Sequence, residues 1–79
     1  MQQLERLLTF LARSLVDEPE EVEVSATESD SQVTLRLRVA PGDVGRVIGR
    51  QGRIVKAIRT LVKAASVKVG KRVSVEVLD

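Results

Sequence analysis

Two glycines three positions apart, Gly49 and Gly52, enclose Arg50 and Gln51 and carry the clearest chemical signal in this sequence. Because glycine has no Cβ, a loop with glycine at each end lets its backbone come close to a ligand. A predicted helix opens at Arg53 directly after the loop, and the first turn of a helix offers unpaired N–H groups and the positive end of its dipole. This combination is typical of a site that binds phosphate, although most glycine pairs at this spacing are ordinary turns.

Positive charge is concentrated around the same loop. Arg50, Arg53, Lys56 and, before the loop, Arg46 stand close to it in the sequence, and the stretch 46–72 contains nine Lys or Arg and no acidic residue. Charge is also unevenly distributed along the whole chain, since the first 30 residues carry a net charge of −6 and the remaining residues carry a net charge of +8. Such segregation predicts a polyanionic partner for the C-terminal half.

Other basic residues allow two interpretations. On the helix predicted after the loop, Lys56, Arg59 and Lys63 fall within about 60° of one another, opposite the apolar face. They either continue the phosphate-binding surface or form an ordinary solvated face. Arg36 and Arg38 alternate with apolar residues of a predicted strand and are expected on the outer sheet face, where acidic residues of neighbouring strands can pair with them.

The residue types that are missing narrow the function further. The chain has no cysteine and no histidine, so a disulfide framework, a thiolate site and a zinc site are not expected. No nucleophile–base pair is evident, and we expect a protein that is not an enzyme and that needs no cofactor or metal. Phe10 is the one aromatic residue, which argues against a domain that stacks bases on aromatic side chains. It is expected in the core or in an interface.

The sequence also gives an expectation about location. The N-terminal residues do not resemble a secretion signal, because Glu5, Arg6 and Arg13 interrupt the apolar residues. No stretch approaches the roughly 18 apolar residues that a membrane span needs. The sequence therefore predicts a cytoplasmic protein without a membrane segment.

Hydrophobic periodicity predicts six elements that position the loop. Leucines at three- and four-residue spacing indicate a helix over residues 2–16, which ends before Pro19. Period-two alternation predicts strands over residues 21–26 and 32–39, joined as an antiparallel hairpin, and a last strand over residues 72–77. A short helix over 43–48 precedes the loop, and a longer helix runs from Arg53 to about Lys68, ended by Gly70. The residues expected to face inward on the longer helix are Ile54, Ala57, Ile58, Leu61, Val62 and Ala65.

The order α-β-β-α-α-β decides the fold class. Two helices link the second strand to the third, which favours a parallel pair with a right-handed crossover. All three helices are then expected on one face of a three-stranded mixed sheet, while the other face meets water. This is a two-layer α+β fold, and residues 1–79 are expected to form a single domain.

The motif and the element order resemble a known family. Val47-Ile48-Gly49-Arg50-Gln51-Gly52-Arg53-Ile54 resembles the V-I-G-x-x-G-x-x-I signature of KH domains, and the element order resembles the type II arrangement of that fold. The continuation over residues 53–65 is similar to a narrower group, the small stand-alone bacterial KH proteins of the KhpA family. Residues 14–17 and 39–41 share this similarity. The resemblance covers nearly the whole chain.

The resemblance implies an RNA-binding protein whose loop clamps the backbone of about four nucleotides of single-stranded RNA, with Arg50 and Gln51 at phosphate. It also implies an RNA chaperone or post-transcriptional regulator, a homodimer, and pairing with a larger multidomain RNA-binding partner of the KhpB type. In that family the pair is linked to cell shape, division and cell wall organisation. The predicted RNA-binding residues are Gly49, Arg50, Gln51, Gly52, Arg53, Lys56 and Arg46.

Two alternatives stay open at this point. The loop could bind single-stranded DNA instead of RNA, since both present a phosphate backbone. The chain could also be a protein-interaction or dimerisation module in which the glycine loop is only an element of the fold.

Overall fold

The computed structural model describes residues 2–78, in the predicted order α-β-β-α-α-β. The helices are α1 (Gln2–Leu15), α2 (Val44–Ile48) and α3 (Arg53–Ala65). The strands are β1 (Glu23–Glu28), β2 (Gln32–Arg38) and β3 (Arg72–Leu78). Short 3-10 turns occupy Pro19–Glu21, Pro41–Asp43, Arg50–Gly52 and Ser66–Val69. Within residues 2–78, no helix combines the length and the apolar character needed to cross a membrane.

The sheet has the order β1-β2-β3, with β1 antiparallel to β2 and β3 parallel to β2. A parallel pair needs a crossover connection, and α2 and α3 supply it. The central strand β2 shows strict alternation, because Val33, Leu35 and Leu37 are fully buried while Arg36 and Arg38 are exposed. The two-layer α+β fold with a mixed sheet, predicted from the element order, is confirmed.

One hydrophobic core joins the helices to the inner face of the sheet. It takes Leu4, Leu8 and Ala12 from α1 and packs them against β2 and α3; its further members include Val47, Ile58, Val62 and Val75. The leucine spacing of α1 therefore marks its buried face as predicted, with Leu7, Leu11 and Leu15 half-buried at the margin.

A buried carboxylate ties the end of α1 to the start of α2. Asp43 is only 3% exposed, and its two oxygens accept hydrogen bonds from the backbone N–H groups of Asp17 and Glu18, both at 3.1 Å. Hydrogen bonds to a charged acceptor contribute about 1.5–3 kcal/mol each. Asp43 thus fixes where α2 begins relative to the first helix, a role that the sequence did not reveal.

The first strand differs from the prediction. It begins at Glu23 because the preceding residues form the turn Pro19–Glu21, and it extends to Glu28. Ala26 is exposed, although it alternates with Val22 and Val24 in the predicted strand and was therefore expected on the same buried face. The reason is that β1 lies at the edge of the sheet, and only Val24 near its start and Val22 just before it reach the core.

The buried face of α3 was predicted only in part, because Ile58 and Val62 are buried as expected and Ile54 is half-buried against the core, but the other three expected residues are not buried. Val55, Ile58 and Val62 are buried, whereas Ala57, Leu61 and Ala65 are exposed. An apolar stripe this wide is compatible with more than one orientation, and packing against α1, α2 and β3 selects the Val55 side. The helix also ends three residues early, at Ala65, where the buried hydroxyl of Ser66 donates to the carbonyl oxygen of Lys63 at 2.7 Å.

Candidate nucleic-acid interface

The loop Gly49–Gly52 is a tight turn in which three of the four residues have a positive φ. The backbone angles φ and ψ are 76° and 171° at Gly49, 56° and 24° at Gln51, and 72° and 17° at Gly52. The combination at Gly49 is essentially restricted to glycine. The left-handed conformation at the other two positions suits glycine and some polar residues. Hydrogen bonds from Gly49 N–H to the Gly45 carbonyl (2.9 Å) and from Gly52 N–H to the Gly49 carbonyl (3.1 Å) close the turn.

The two glycines differ in the space around them. A Cβ at Gly49 would lie 2.6 Å from Cγ1 of Ile54, which is closer than carbon atoms can pack, whereas a Cβ at Gly52 would meet nothing nearer than Cγ1 of Val55 at 3.8 Å. Gly49 is therefore required by the close contact between the loop and α3. Gly52 instead leaves the protein backbone at the start of α3 uncovered, so that the backbone of a ligand can come close to it.

The polar side chains of the loop and of the first turn of α3 point into solvent. Arg50, Gln51, Arg53 and Lys56 are all exposed, and the Arg53 guanidinium donates to Oε1 of Gln51 at 3.3 Å. Among residues 2–78, neither Arg50, Arg53 nor Lys56 forms an ion pair. Helix α3 also begins without a side-chain cap. The structure therefore brings three cations, none with an anionic partner among the described residues, to the positive end of a 13-residue helix.

Arg46 is placed differently from the other predicted site residues. Its guanidinium lies 3.0 Å from a carboxylate oxygen of Asp17 and 3.5 Å from one of Asp43. These contacts make Arg46 part of the link between α1 and α2. About half of its side chain stays exposed, so contact with a phosphate remains a prediction for this residue.

The basic residues further along α3 do not form a uniform stripe. Arg59 turns towards the edge of the sheet and donates to the carbonyl oxygen of Val75 on β3, at 3.3 Å from Nε and 3.2 Å from one terminal nitrogen. Arg59 and Lys63 line an open cavity of about 390 Å³ together with the β3 residues Val73, Ser74 and Val75. Sequence reasoning missed this cleft between α3 and β3. The crossover topology could have signalled it, because it leaves one edge of β3 beside α3.

The hairpin between β1 and β2 carries the acidic residues Glu28 and Asp30, and Lys71 neutralises the charge of Glu28. The Lys71 ammonium donates to the Glu28 carboxylate and, at 2.9 Å, to the carbonyl oxygen of Ser29. This hydrogen bond, together with the charge of Lys71, lowers the pKa of Glu28 from its ordinary value. The contact also ties the β1–β2 hairpin to the start of β3, where Arg72 N–H donates to the Ser31 carbonyl at 3.1 Å.

The fold and the loop together define a class of protein. The elements follow one another along the chain in the order αββααβ, and three helices cover a mixed three-stranded sheet. A G-x-x-G turn separates the two crossover helices. These features together define the type II KH fold. The predicted fold family is thereby confirmed.

Comparison with known proteins leads to the particular family. A model described as the KhpA/KhpB KH domain matches residues 5–77, and this chain belongs to that family. It is 55% identical over 75 residues to a protein of Clostridium acetobutylicum named RNA-binding protein KhpA, which covers 95% of this chain and all of the relative. It is 46% identical over 78 residues to the protein of that name from Bacillus subtilis, covering 99% and 96% of the two chains.

Solved structures support the same fold at low identity. Era of Aquifex aeolicus bound to GDP·AlF4− superposes with a TM-score of 0.69 at 17% identity over 95% of this chain. Era in complex with MgGDPNP and nucleotides 1506–1542 of 16S ribosomal RNA gives a TM-score of 0.63 at 19% identity over 95% of this chain. This chain spans 29% and 30% of the two Era chains. The likeness is one of fold.

Proposed function

We propose that this protein is a single KH domain spanning residues 1–79 that binds single-stranded RNA, holding the sugar-phosphate backbone at Gly49–Gly52. The observation that carries the proposal is the exposed turn, which combines the uncovered backbone at Gly52 with three cations that form no ion pair within residues 2–78, namely Arg50, Arg53 and Lys56. Phosphate oxygens satisfy both kinds of donor at once. The proposed contacts are the four loop residues, Arg53, Lys56 and Arg46. Arg46 also takes part in the link between α1 and α2.

A strand held at the loop has a natural continuation. The cleft between α3 and β3 contains Arg59 and Lys63, and the edge of β3 offers backbone groups that are not used by another strand. KH domains clamp about four nucleotides. We propose that bases beyond the clamp enter this cleft, where the Arg59 guanidinium can leave the Val75 carbonyl to meet a base edge.

We propose RNA as the ligand, and DNA as the alternative, because several relatives carry the name RNA-binding protein and because one of the Era structures contains ribosomal RNA. The same names favour a binding protein that is not an enzyme. Single-stranded DNA stays the first alternative, since the loop itself meets only phosphate and sugar. The cytoplasmic location expected from the sequence stays a prediction.

The test replaces Arg50 and Gln51 together by aspartate. Asp tolerates the left-handed conformation at position 51, both glycines stay, and both side chains are exposed. The stability cost is therefore expected to be within about 1 kcal/mol. The local charge changes from +1 to −2 beside a phosphate, and RNA affinity should fall by much more than the stability change. The measurement is anisotropy of labelled single-stranded RNA, with melting temperatures recorded in parallel.

A matched control makes the same charge change elsewhere. Gln32→Asp with Arg38→Asp alters two exposed residues of β2 on the outer sheet face, and Arg38 forms no ion pair among residues 2–78. The control should lose only the small part of the affinity that comes from overall charge. A loop variant that stays folded and binds RNA as tightly as the control would show that the site assignment is wrong. Single-stranded DNA and duplex, titrated at the same salt concentration, decide the ligand class.

Self-association is a second part of the proposal. Leu61 and Val67 are 51% and 78% exposed, and a small domain gains stability when such apolar surface is covered. We therefore propose a homodimer at micromolar concentration. Sedimentation that shows only an 8.7 kDa species across that range would exclude it.

Cellular roles are proposed from family membership. The family model covers both KhpA and KhpB domains. We propose that the protein acts as an RNA chaperone or post-transcriptional regulator with a KhpB-type partner and that the pair affects cell shape, division and cell wall organisation. The experiment is deletion of the gene followed by rescue with the wild type or with the loop variant. Rescue by the loop variant would separate these roles from RNA binding.

A further inference from the structure

The solvent face of α1 carries the only aromatic residue of the chain. Phe10 is 68% exposed, so of the two expected positions the core is wrong and the interface stays a prediction. It lies opposite the buried residues Leu4, Leu8 and Ala12, where an amphipathic helix normally carries polar side chains. The fold therefore makes little use of the phenyl ring for its own packing, and most of the ring is accessible to a ligand.

Two arginines bracket this ring. Arg6 precedes Phe10 by four residues and Arg13 follows it by three, so all three side chains lie on the same side of the helix. The two arginines are about 10 Å apart along the helix axis. Neither guanidinium has an ion-pair or side-chain hydrogen-bond partner in the part of the chain from Gln2 to Leu78. The ring is thus flanked by two positive donors that no described residue neutralises.

The neighbouring polar groups are already satisfied. The hydroxyl of Thr9 donates to the Glu5 carbonyl at 2.7 Å, and that of Ser14 donates to the Phe10 carbonyl at 2.8 Å. Phe10 and both arginines line one open cavity of about 610 Å³, together with Val24 of β1. Glu5 is the one acidic residue in that lining, which therefore carries a net charge of +1. A ligand that fits this surface needs a flat apolar group and negative charge on both sides of it.

We propose that this surface is a second contact site for single-stranded nucleic acid, in which a base stacks on Phe10 and the adjoining phosphates pair with Arg6 and Arg13. Aromatic rings and guanidinium groups together are the usual platform for unpaired bases. A nucleotide satisfies the ring and both charges, whereas an apolar protein surface would bury two guanidinium groups without partners. The inference rests on the proposed function, because the nucleic acid on Phe10 would be a further part of the strand that the loop holds. Helix α1 packs against α2 and α3, the two helices on either side of the loop, and the described chain is 35 Å in its longest dimension.

The experiment compares two lengths of RNA. The probes are labelled oligouridines of about 4 nucleotides, enough for the loop, and about 16 nucleotides, long enough to reach further. For Phe10→Ala, affinity for the long probe should fall roughly 5- to 150-fold, the loss of one stacked base, while affinity for the short probe stays the same. For Arg6→Gln with Arg13→Gln, the slope of log affinity against log salt should shrink by about 1.4 on the long probe, and Phe10→Ala should leave that slope unchanged.

The control variant is Gln3→Ala, an exposed position of α1 outside the cavity, which should bind both probes like the wild type. All three variants should stay folded, because the residues are exposed and alanine and glutamine are good helix formers. Unchanged affinity of Phe10→Ala for the long probe overturns the inference. So does an equal loss on both probes, or a loss of dimer without a loss of RNA affinity, which would identify a protein interface. If the wild type binds neither probe, the proposed function fails and this inference with it. If the wild type binds the short probe and every variant binds the long probe alike, only the inference fails.

Discussion

The two glycines of the loop should respond differently to the same substitution. In Gly49→Ala, the new alanine has to adopt a backbone conformation that costs about 1–3 kcal/mol for any residue with a Cβ. It also meets Cγ1 of Ile54 at 2.6 Å and Cβ of Ile54 at 2.8 Å, so α3 has to shift, and overpacking of this kind costs about 1–3 kcal/mol. The free energy of unfolding should fall by about 2–6 kcal/mol in total. For a domain of this size that is a large part of a stability of roughly 5–10 kcal/mol.

Gly52→Ala should cost much less. Its φ of 72° is unfavourable for alanine by about 1–2 kcal/mol, but the nearest atom, Cγ1 of Val55, lies at an ordinary contact distance of 3.8 Å. The new methyl group covers the backbone where we propose that phosphate binds. Affinity for RNA should therefore fall by roughly 10- to 150-fold, as expected for one lost charge-assisted contact of about 1.5–3 kcal/mol, while the protein remains folded.

The assay is urea denaturation and thermal melting of the wild type and both variants, followed by RNA titration at a temperature where all three are folded. Because 1 kcal/mol shifts the melting temperature of a domain this small by about 4–8 °C, the two variants are easily separated. If Gly49→Ala is no less stable than Gly52→Ala, the close contact with Ile54 does not limit position 49. If Gly52→Ala binds RNA like the wild type, the backbone at Gly52 is not a contact.

Three further results are expected. With about three to five phosphate contacts, log affinity for single-stranded RNA should fall with log salt at a slope near −2 to −3.5, and a flat response in that titration would exclude an electrostatic clamp. Asp43→Asn should lower the free energy of unfolding, measured in urea, by about 2–4 kcal/mol, because the amide N–H₂ cannot accept a hydrogen bond from the N–H group of Asp17 or Glu18. The control is Asp30→Asn at an exposed position, and an equal cost for both variants would refute the role of Asp43 in joining α1 to α2. Lys71 holds the pKa of Glu28 below its usual 4.5, so the stabilisation from this pair is present above that value and is lost as the pH falls through the lower folded-state pKa. In acid titrations of stability at low salt, Glu28→Gln should therefore lose less than the wild type below about pH 4.5, and identical profiles would show that the ion pair is not formed.

Much of this molecule follows from its sequence through local rules. The spacing of leucines in α1 and the strict alternation in β2 each encode one buried face, because helices repeat every 3.6 residues and strands every two. The two glycines mark the turn, since the observed backbone angles at Gly49 are open to almost no other residue. The chain order alone decides that β3 is parallel to β2, because two intervening helices leave room for a crossover.

Other features arise only when distant elements meet. Whether α3 buries Val55 or Leu61 depends on the helices and the strand against which it packs, and its apolar stripe is wide enough for either choice. The same holds for Asp43 and Arg46, because their partner Asp17 is 26 residues away from Asp43 in the sequence. Arg59 meets the Val75 carbonyl only because β3 lies at the sheet edge beside α3. Sequence periodicity reports which residues share a face, and the tertiary contacts decide what each face meets.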